Sequence, residues 1–470
     1  MPLLLEFSIE LIDAILFEMD RPSDLLSLSL ACRALYHRII PDQLLFRHVS
    51  EKIGNPALWD HLLEYPSKAK RIRILLLNHG YRSSLSQVLQ LPLAGGHSDW
   101  NKNQNTEFDR VLKAITSMDH LERLQFSPQE EHIPRFLSWL ANGGTQAKRL
   151  SISWTRFRQQ YNELSTYRIS NPALSLTHIS LTVEMFQFEQ QHIANWENLL
   201  IHQCPKLVHL AVGNHGMTNA SFPNLLKGHW RNLSTLCLQG ILGLGAGRQT
   251  GNPDMATFLR RHPKLERISI KPWSNDSCVR ILNAPALLHP TDISEDMLPS
   301  LKFCILGKSA QRLLPFLSTK NLIGLVAQGS PDVFAHLRNI PSLKYLGMRL
   351  SLTDIPKLVP NLLDITRLDL DFDILRIPAP DYDAFLEYVI QPLSQIRTLT
   401  HLRLSLNRVD FISTQSKRSF RSNENDYQAR IYKRVCGADT TSAFEVLSNA
   451  SGRYPDMVPM EEMLGFWNGR

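Results

Sequence analysis

Three short stretches of the chain combine residue types that can bind phosphate or metal ions. The first is Gly243-x-Gly245-x-Gly247, which follows a stretch with strand character. Glycine-rich turns of this kind let backbone amides approach a phosphate group. A dinucleotide fingerprint also requires glycine at position 248, where the chain has Arg248, and no Gly-Lys-Ser or Gly-Lys-Thr follows. We therefore predict a loop at residues 241–253 and no nucleotide cofactor.

The other two stretches contain candidate metal ligands. His202-x-Cys204 lacks a second pair of ligands, which makes a zinc site improbable on spacing alone. Asp369, Asp371 and Asp373 alternate after a strand pattern but lack the glycine turn and distal glutamate of a calcium-binding loop. No Gly-x-Ser-x-Gly or His-Glu-x-x-His motif is present. The sequence thus predicts that the protein binds no metal and no cofactor and is not an enzyme.

The charge of the chain also bears on its partners. It has 470 residues, 43% of them hydrophobic and 20% charged, and a formal net charge of +7. Binding to nucleic acid requires basic residues gathered on one face. The densest basic stretches are short, and we interpret them as solvated surface charge: Lys68-x-Lys70-Arg71-x-Arg73 and Lys417-Arg418-x-x-Arg421. We predict no nucleic-acid partner.

The six cysteines indicate a reducing compartment. None of them forms a C-x-x-C pair, and four lie within apolar patterns, where a thiol behaves as a small hydrophobic group. We therefore expect the cytoplasm, the nucleus or both. The N-terminus carries Glu6, Glu10 and Asp13, unlike a signal peptide. No apolar run approaches the roughly 18 residues of a membrane span, so we predict no membrane partner.

The elements that precede and follow these stretches carry the stronger signals. Residues 9–19 have helical periodicity, and a second helix is predicted from a cap at Ser23 or Asp24 to Pro41. A third short apolar piece follows at residues 44–49. A unit of this size has too little interior for so many apolar side chains. They must contact either the rest of the chain, as an N-terminal helical cap would, or a partner.

The order of residues in this stretch resembles the F-box family over about residues 5–49. The resemblance is carried by Glu10-Leu11-Ile12-x-x-Ile15-Leu16, then by Asp24-Leu25-Leu26-x-Leu28-Ser29-Leu30-x-Cys32-Arg33-x-Leu35-Tyr36, then by Pro41 and Leu45-Phe46-Arg47. The family docks a helical trio onto the Skp-type adaptor of cullin–RING ubiquitin ligases. The resemblance implies these adaptor-binding residues: Phe7, Ser8, Glu10, Leu11, Ile12, Ile15, Leu16, Leu25, Leu28, Cys32, Leu35 and Tyr36.

One departure from the F-box pattern affects the start of the first helix. The family usually has Leu-Pro before Glu-Leu, and this chain has Phe7 and Ser8 there. Phe7 keeps the apolar anchor, while Ser8 replaces a rigid proline with a residue that can cap a helix. The change bears on adaptor affinity more than on fold.

A short phrase recurs twelve times from residue 72 onward: apolar, two residues, apolar, one residue, apolar. Its last two apolar positions are two apart, as one buried face of a strand requires. Helical stretches lie between phrases, as at residues 193–201 and 255–261. The twelve phrases begin at Ile72, Leu121, Ala147, Leu176, Leu207, Leu233, Leu265, Leu301, Leu322, Leu343, Ile365 and Leu399.

These phrases resemble leucine-rich repeats. Many of the distances between successive phrase starts are near the length of such repeats, about 20–29 residues. The usual polar ladder residue is found in only one unit, as Asn407. The fold class is therefore predicted as α/β, with an N-terminal three-helix F-box and an irregular leucine-rich-repeat solenoid. A globular protein with ordinary strand–helix alternation is the alternative.

The predicted domain organisation has four parts. The F-box occupies residues 1–50, connecting helices 51–70, the repeats 71–410, and a partly disordered C-terminal tail with capping segments 411–470. A polar, Gly- and Asn-rich segment at residues 91–107 is predicted to be a mobile loop within the repeats.

The residue between the last two apolar positions of each phrase should line an open face of the repeats. We expect this face to hold a protein substrate, and because only Asp369 and Arg403 are ionised there, we expect it to be nearly neutral. These two are the candidate substrate-binding residues. The twelve positions are Leu76, Gln125, Ser151, Ser180, Ala211, Cys237, Ser269, Ile305, Val326, Gly347, Asp369 and Arg403.

The hypothesis from sequence is a substrate-recognition adaptor of an SCF-type cullin–RING ubiquitin ligase. Its partners would be a Skp-type adaptor, a cullin bound through that adaptor, and a protein substrate. The alternative is an F-box and repeat scaffold that acts outside a ubiquitin ligase. A hydrolase with scattered catalytic residues is a third class, which the missing motifs disfavour.

Overall fold

The computed structural model describes most of the chain in separate stretches. The described residues are 7–19, 22–78, 104–127, 132–154, 174–183, 190–214, 222, 224–239, 255–271, 297–307, 311, 314–315, 317, 320–362, 364–374, 389, 391–408, 428–435 and 443–451. The chain divides into two compact units, the first formed by Met1–His262 with Trp273–Leu287 and the second by Pro263–Pro272 with Leu288–Arg470.

The first unit begins with a helical module, residues 7–47, which leads into strands and helices in alternation. Its described α-helices are α1 (Ile9–Glu18), α2 (Pro22–Ser29), α3 (Arg33–Ile39), α4 (Leu45–Arg47), α5 (Pro56–Glu64), α6 (Pro66–Ala69), α7 (Gln104–Thr116), α8 (Ile133–Ala141), α9 (Gln190–Gln203) and α10 (Met255–Arg261). A short 3-10 helix, Leu225–Lys227, lies before β7. Its strands are β1 (His48–Lys52), β2 (Ile74–Asn78), β3 (Arg123–Phe126), β4 (Arg149–Trp154), β5 (His178–Val183), β6 (His209–Asn214) and β7 (Thr235–Gln239).

The second unit carries the remaining strands. These are β8 (Arg267–Lys271), β9 (Phe303–Leu306), β10 (Gly324–Gln328), β11 (Tyr345–Leu350), β12 (Arg367–Ile374), β13 (His401–Arg408), β14 (Gln428–Val435) and β15 (Ala443–Ser451). Its described α-helices are α11 (Pro331–Leu337) and α12 (Ile355–Leu358). No helix in the described stretches of either unit is long and apolar enough to cross a membrane.

Each of the twelve phrases forms a parallel strand. Strands β1–β7 pair in chain order in the first unit, and β8–β13 do so in the second. The first apolar residue of each phrase is buried two residues before its strand, as Leu121 is before β3. Side chains then alternate, so Leu124 and Phe126 are buried while Arg123 and Gln125 are half-buried. The mixed α/β class is thereby confirmed.

The strands have two faces, which we call the apolar face and the polar face. The apolar face carries the last two apolar residues of each phrase, and the polar face carries the residues that alternate with them. The predicted open row lies on the polar face, but three of its members, Ser269, Ile305 and Gly347, are buried. The expectation that the whole row is open was therefore wrong in the second unit, where Val326 and the Tyr345 hydroxyl crowd Gly347.

The N-terminal module differs from the predicted helices at two points. Pro41 was predicted to end the second helix, but it lies within a π-helical turn, Ile40–Leu44, that leads into α4. The second helix was expected to run unbroken from Ser23 or Asp24 to Pro41, but it is two helices, α2 and α3. Cys32 is fully extended and breaks the helix, and the Ser29 hydroxyl donates to the Leu26 carbonyl at 2.7 Å. Because proline suits the first turn of a helix, α2 begins at Pro22 itself.

The strands extend beyond the predicted repeats at both ends. The first parallel strand, β1, begins at His48, inside the predicted F-box range, and the helices α5 and α6 lie in the predicted connecting stretch. At the other end, β14 and β15 pair antiparallel after β13. Ala443 and its successors, predicted as a capping segment, lie on β15. Residues 104–107, predicted as loop, belong to α7. Three predicted segments lie outside the described residues: the loop at 241–253, the disordered part of the tail at 413–427 and the apolar capping segment at 460–467.

Candidate functional site: the N-terminal module

Exposed apolar side chains gather in the N-terminal module. In the described part of the chain, only Tyr65 is a large, exposed hydrophobic residue outside residues 7–36. Exposed apolar side chains concentrated in one module are typical of interaction sites, which makes this module the candidate site. We name these six side chains the docking face, and their exposed fractions are Phe7 47%, Ile9 60%, Leu11 46%, Leu26 43%, Leu30 70% and Tyr36 44%.

The docking face is presented by all three of the long helices of the module. Phe7, Ile9 and Leu11 lie at the start of α1. There the Ser8 hydroxyl accepts a hydrogen bond from the Leu11 amide at 3.4 Å, which confirms the predicted cap. Leu26 and Leu30 are four residues apart, so they share one side of α2 and the turn that ends it.

The other predicted adaptor-binding residues divide between core and surface. Four of them are buried with Ile39 and form the core of the module: Ile12, Leu16, Leu25 and Leu35. Leu28 and Cys32 are partly buried against this core, and Ile15 is half-buried. Ser8 and Glu10 are exposed. Of the apolar residues on the predicted list, Phe7, Leu11 and Tyr36 are therefore the exposed ones, while the core residues position them.

A partly exposed ion pair joins α1 to α3. Arg38 donates from Nε to Asp13 Oδ1 at 2.8 Å and from Nη2 to Asp13 Oδ2 at 2.6 Å. These hydrogen bonds lower the pKa of Asp13 in spite of some desolvation. Arg38 Nη2 also donates to the Ile9 carbonyl at 3.2 Å. A two-point contact of this kind fixes orientation, so the helices that carry Leu11 and Tyr36 are held in one arrangement.

Two further arginines join the C-terminal end of α1 to the strands. Arg47 Nη2 donates to the carbonyls of Leu16, Phe17 and Met19 at 2.6, 2.8 and 2.7 Å. Arg73 donates to the Phe17 carbonyl as well. The last carbonyls of a helix have no partner within it, and cations are stabilising there.

Arg73 was predicted to be solvated surface charge, and that prediction was wrong. The residue is only 9% exposed, and its Nη1 also donates to Glu122 Oε1 at 2.9 Å, just before β3. The signal that could have found it is its place one residue after Ile72, where it enters the buried side of the turn before β2. The module is thus bonded to the first strands of its own unit.

The candidate substrate residues Asp369 and Arg403 are neighbours in the register of β12 and β13. Asp369 Oδ2 accepts the Tyr345 hydroxyl at 3.1 Å, and Oδ1 lies 3.6 Å from Arg367 Nε. Burial, reinforced by the Asp369 charge and this hydrogen bond, raises the pKa of Tyr345. Asp369 is therefore engaged within its own strands, and only Arg403, which is half-buried, keeps the character expected of a contact residue.

The sequence patterns with possible chemistry do not come together. Cys204 is fully buried and burial raises its pKa to about 12, while His202 is exposed on α9. Within the residues that the structure describes, no group of three His, Cys, Asp or Glu side chains could hold a metal ion. Cys32, Cys204, Cys237 and Cys304 are free thiols. The Gly243–Gly247 stretch lies outside the described residues.

Comparison with known proteins adds no relative to these observations. Neither the scan against models of protein families nor the search of curated proteins finds a match to this chain.

Proposed function

We propose that this protein is a substrate-recognition adaptor that docks a Skp-type adaptor of a cullin–RING ubiquitin ligase through its N-terminal module. The observation that carries the proposal is the docking face: six large apolar side chains exposed in one helical module of the kind that the F-box resemblance implies. The parallel strands would then present a protein substrate. The chain itself would perform no bond chemistry, and it would act in the cytoplasm or nucleus.

The energetics of the docking face favour a protein partner over solvent. Burying a large apolar side chain fully is worth about 1.5–3 kcal/mol, and each of these six is about half exposed or more. Completing their burial would supply several kcal/mol to an interface. Charge-poor apolar patches surrounded by polar residues are the usual core of such interfaces.

The arginine contacts at the C-terminal end of α1 support the same function. A recognition subunit raises the local concentration of substrate near an enzyme, and this effect is lost when the geometry forbids both contacts at once. Arg47 fixes the end of α1 within the module, and Arg73 bonds that end to the turn before β2, which restricts the orientation of the module toward the strands of its own unit. The leucine-rich-repeat assignment of those strands belongs to the proposal.

The test is binding of the full chain to a purified Skp-type adaptor, followed by recovery of a cullin. The variant Leu11→Asp/Leu30→Asp places two charges on the docking face without touching the core. We expect its adaptor affinity to fall at least about a hundredfold, because each buried unpaired charge costs several kcal/mol. The matched control is Tyr65→Asp, an exposed apolar residue outside the module.

Each outcome separates the candidate functions. Equal adaptor binding by the double variant and the parent would contradict the docking face. Loss of binding in Tyr65→Asp alone would move the interface to α5 and α6. Binding of the adaptor without recovery of a cullin would favour the scaffold that acts outside a ligase.

A further inference from the structure

The register of the first unit aligns a row of basic residues on its polar face. The first residues of the paired strands β1–β6 are direct neighbours in the order His48, Ile74, Arg123, Arg149, His178 and His209. We name Arg123, Arg149, His178 and His209, from four consecutive strands, the basic row. Arg149 is exposed and the other three are half-buried.

Acidic residues are missing from this face. Strands β1–β7 are described throughout, and none of their polar-face positions holds Asp or Glu. Glu51 of β1 is buried and lies on the apolar face. Glu122 precedes β3 but is bonded to Arg73. The basic row is instead followed along the strands by hydroxyl groups. These are Ser151 and Ser153 on β4 and Ser180 and Thr182 on β5.

The histidines of the basic row are held in place. The Thr177 hydroxyl donates to the Lys148 carbonyl at 3.1 Å, so it can accept the proton of His178 Nδ1 at 2.9 Å. The rings of His178 and His209 lie nearly parallel, with centroids 5.7 Å apart. Like charges also act on each other here, since burial and then the Arg123 charge lower the pKa of His48. An anion would relieve that repulsion.

The second unit lacks this pattern on its own polar face. In β8–β13 the equivalent positions hold Arg267, Phe303, Gly324, Tyr345, Arg367 and His401, so three uncharged residues interrupt the basic ones. Asp369 and Asp371 follow on β12, and Asp369 pairs with Arg367. The polar face of β12 thus carries both signs of charge, whereas the charged residues at the polar-face positions of β1–β7 are all basic. The nearly neutral open face expected from sequence does not describe β3–β6, because that expectation considered only one of the polar-face rows.

We propose that the basic row binds an extended, anionic segment of a protein partner, running across β3–β6. Strands lie about 4.8 Å apart, so the row spans roughly 14 Å, and an extended peptide rises about 3.3 Å per residue. Four to five residues cover that distance. Two arginines give two-point contacts to carboxylate or phosphoryl oxygens, and the serines beside them donate hydrogen bonds. The inference rests on the proposed function, which assigns substrate binding to the strands.

The test uses the full chain and fluorescein-labelled peptides of about ten residues, measured by anisotropy. One peptide alternates Asp and Glu with Ser, a second carries phosphoserine, and a third replaces every acid with its amide. We expect both anionic peptides to bind and the amide peptide to bind at least about tenfold more weakly, with affinity falling as salt rises. The preferred anionic peptide identifies whether carboxylate or phosphoryl groups are recognised.

The matched variants carry equal charge changes. Arg123→Gln/Arg149→Gln removes two charges from the basic row, and Lys113→Gln/Lys227→Gln removes two exposed charges from helical segments. We expect about a tenfold loss of peptide affinity in the first and less than a twofold change in the second. Arg149→Gln alone, at an exposed position, serves if the double variant is poorly folded, with an expected loss of about threefold.

Three results would overturn the inference. They are equal peptide binding by the row variant and the parent, equal losses in both double variants, and tighter binding of single-stranded nucleic acid than of either anionic peptide. Adaptor binding is measured separately on the same proteins. A chain that binds the Skp-type adaptor but no anionic peptide refutes only this inference, and a chain that binds the peptide but no adaptor refutes only the proposed docking.

Discussion

The contact of Arg47 with the end of α1 provides the sharpest stability prediction. We consider Arg47→Met, which keeps the length of the side chain and removes its charge. In the native chain one nitrogen, Nη2, donates to three carbonyls at 2.6–2.8 Å, and the residue is only 3% exposed. The guanidinium also lies over the Phe17 ring at 5.6 Å.

The magnitude follows from two opposing effects. The substitution leaves carbonyl oxygens of α1 without this donor, and an unsatisfied buried acceptor costs about 1–3 kcal/mol. Against this, methionine avoids the desolvation of a buried cation, which offsets part of the loss. Arg73 still donates to the Phe17 carbonyl, so the oxygens of Leu16 and Met19 bear most of the cost. We expect a net loss of about 3 kcal/mol.

Hydrogen exchange measured by mass spectrometry reports this loss locally. Peptides that cover α1 should lose protection by about a hundredfold, because 1.4 kcal/mol corresponds to a factor of ten. Peptides from the second unit should not change. Arg47→Lys is the informative companion, since it restores charge but not the planar fork, and we expect it to recover about half of the loss. Unchanged protection of α1 in Arg47→Met would refute the assignment.

There is one further prediction for each of the two units. In the first unit, His262 is buried and its Nε2 accepts a hydrogen bond from the Trp230 amide at 3.0 Å. Burial is the main cause that lowers its pKa from 6.5 to about 4. Between those pH values only the unfolded chain binds the proton. Stability should therefore fall below pH 6.5, by about 2 kcal/mol at pH 5 relative to pH 7, and His262→Gln should flatten that part of a urea-denaturation profile; an unchanged profile would count against it. In the second unit, a Cβ at Gly324 would lie 2.1 Å from Phe303 Cε1, so Gly324→Ala should cost about 1–3 kcal/mol in thermal unfolding but little in a Phe303→Ala background, and equal costs in both backgrounds would disprove the steric account.

The repeated phrase determined much of the fold by itself. All twelve occurrences became parallel strands, because spacing of two places apolar side chains on one face and the preceding apolar residue is buried in the turn. The cap at Ser8 and the apolar excess of residues 7–36 were likewise local properties of the chain. Strand β1 was missed because Val49 is its sole apolar residue, and its pairing with β2 supplies what its composition lacks.

Both the sequence and the packing of the helices were needed to define the candidate site. The sequence listed twelve adaptor-binding residues without separating inside from outside, since several faces of a short amphipathic helix can read as apolar. Packing made that division, with Leu16 and Leu25 in the core and Leu11 and Tyr36 on the docking face. The position of Arg73 after Ile72 indicates burial, but its partners, the Phe17 carbonyl and Glu122, are distant in the chain and only the structure identifies them.

The members of the basic row share one position of the repeated phrase, but tertiary structure decided that they are neighbours. Arg123, Arg149, His178 and His209 stand one residue before the second apolar position of their phrases, at uneven distances along the chain. The register of four parallel strands turns those separated positions into direct neighbours. Sequence states which residues each strand presents; only the hydrogen-bonded pairing of strands decides which charges meet, because electrostatic interaction depends on distance in space and not along the chain.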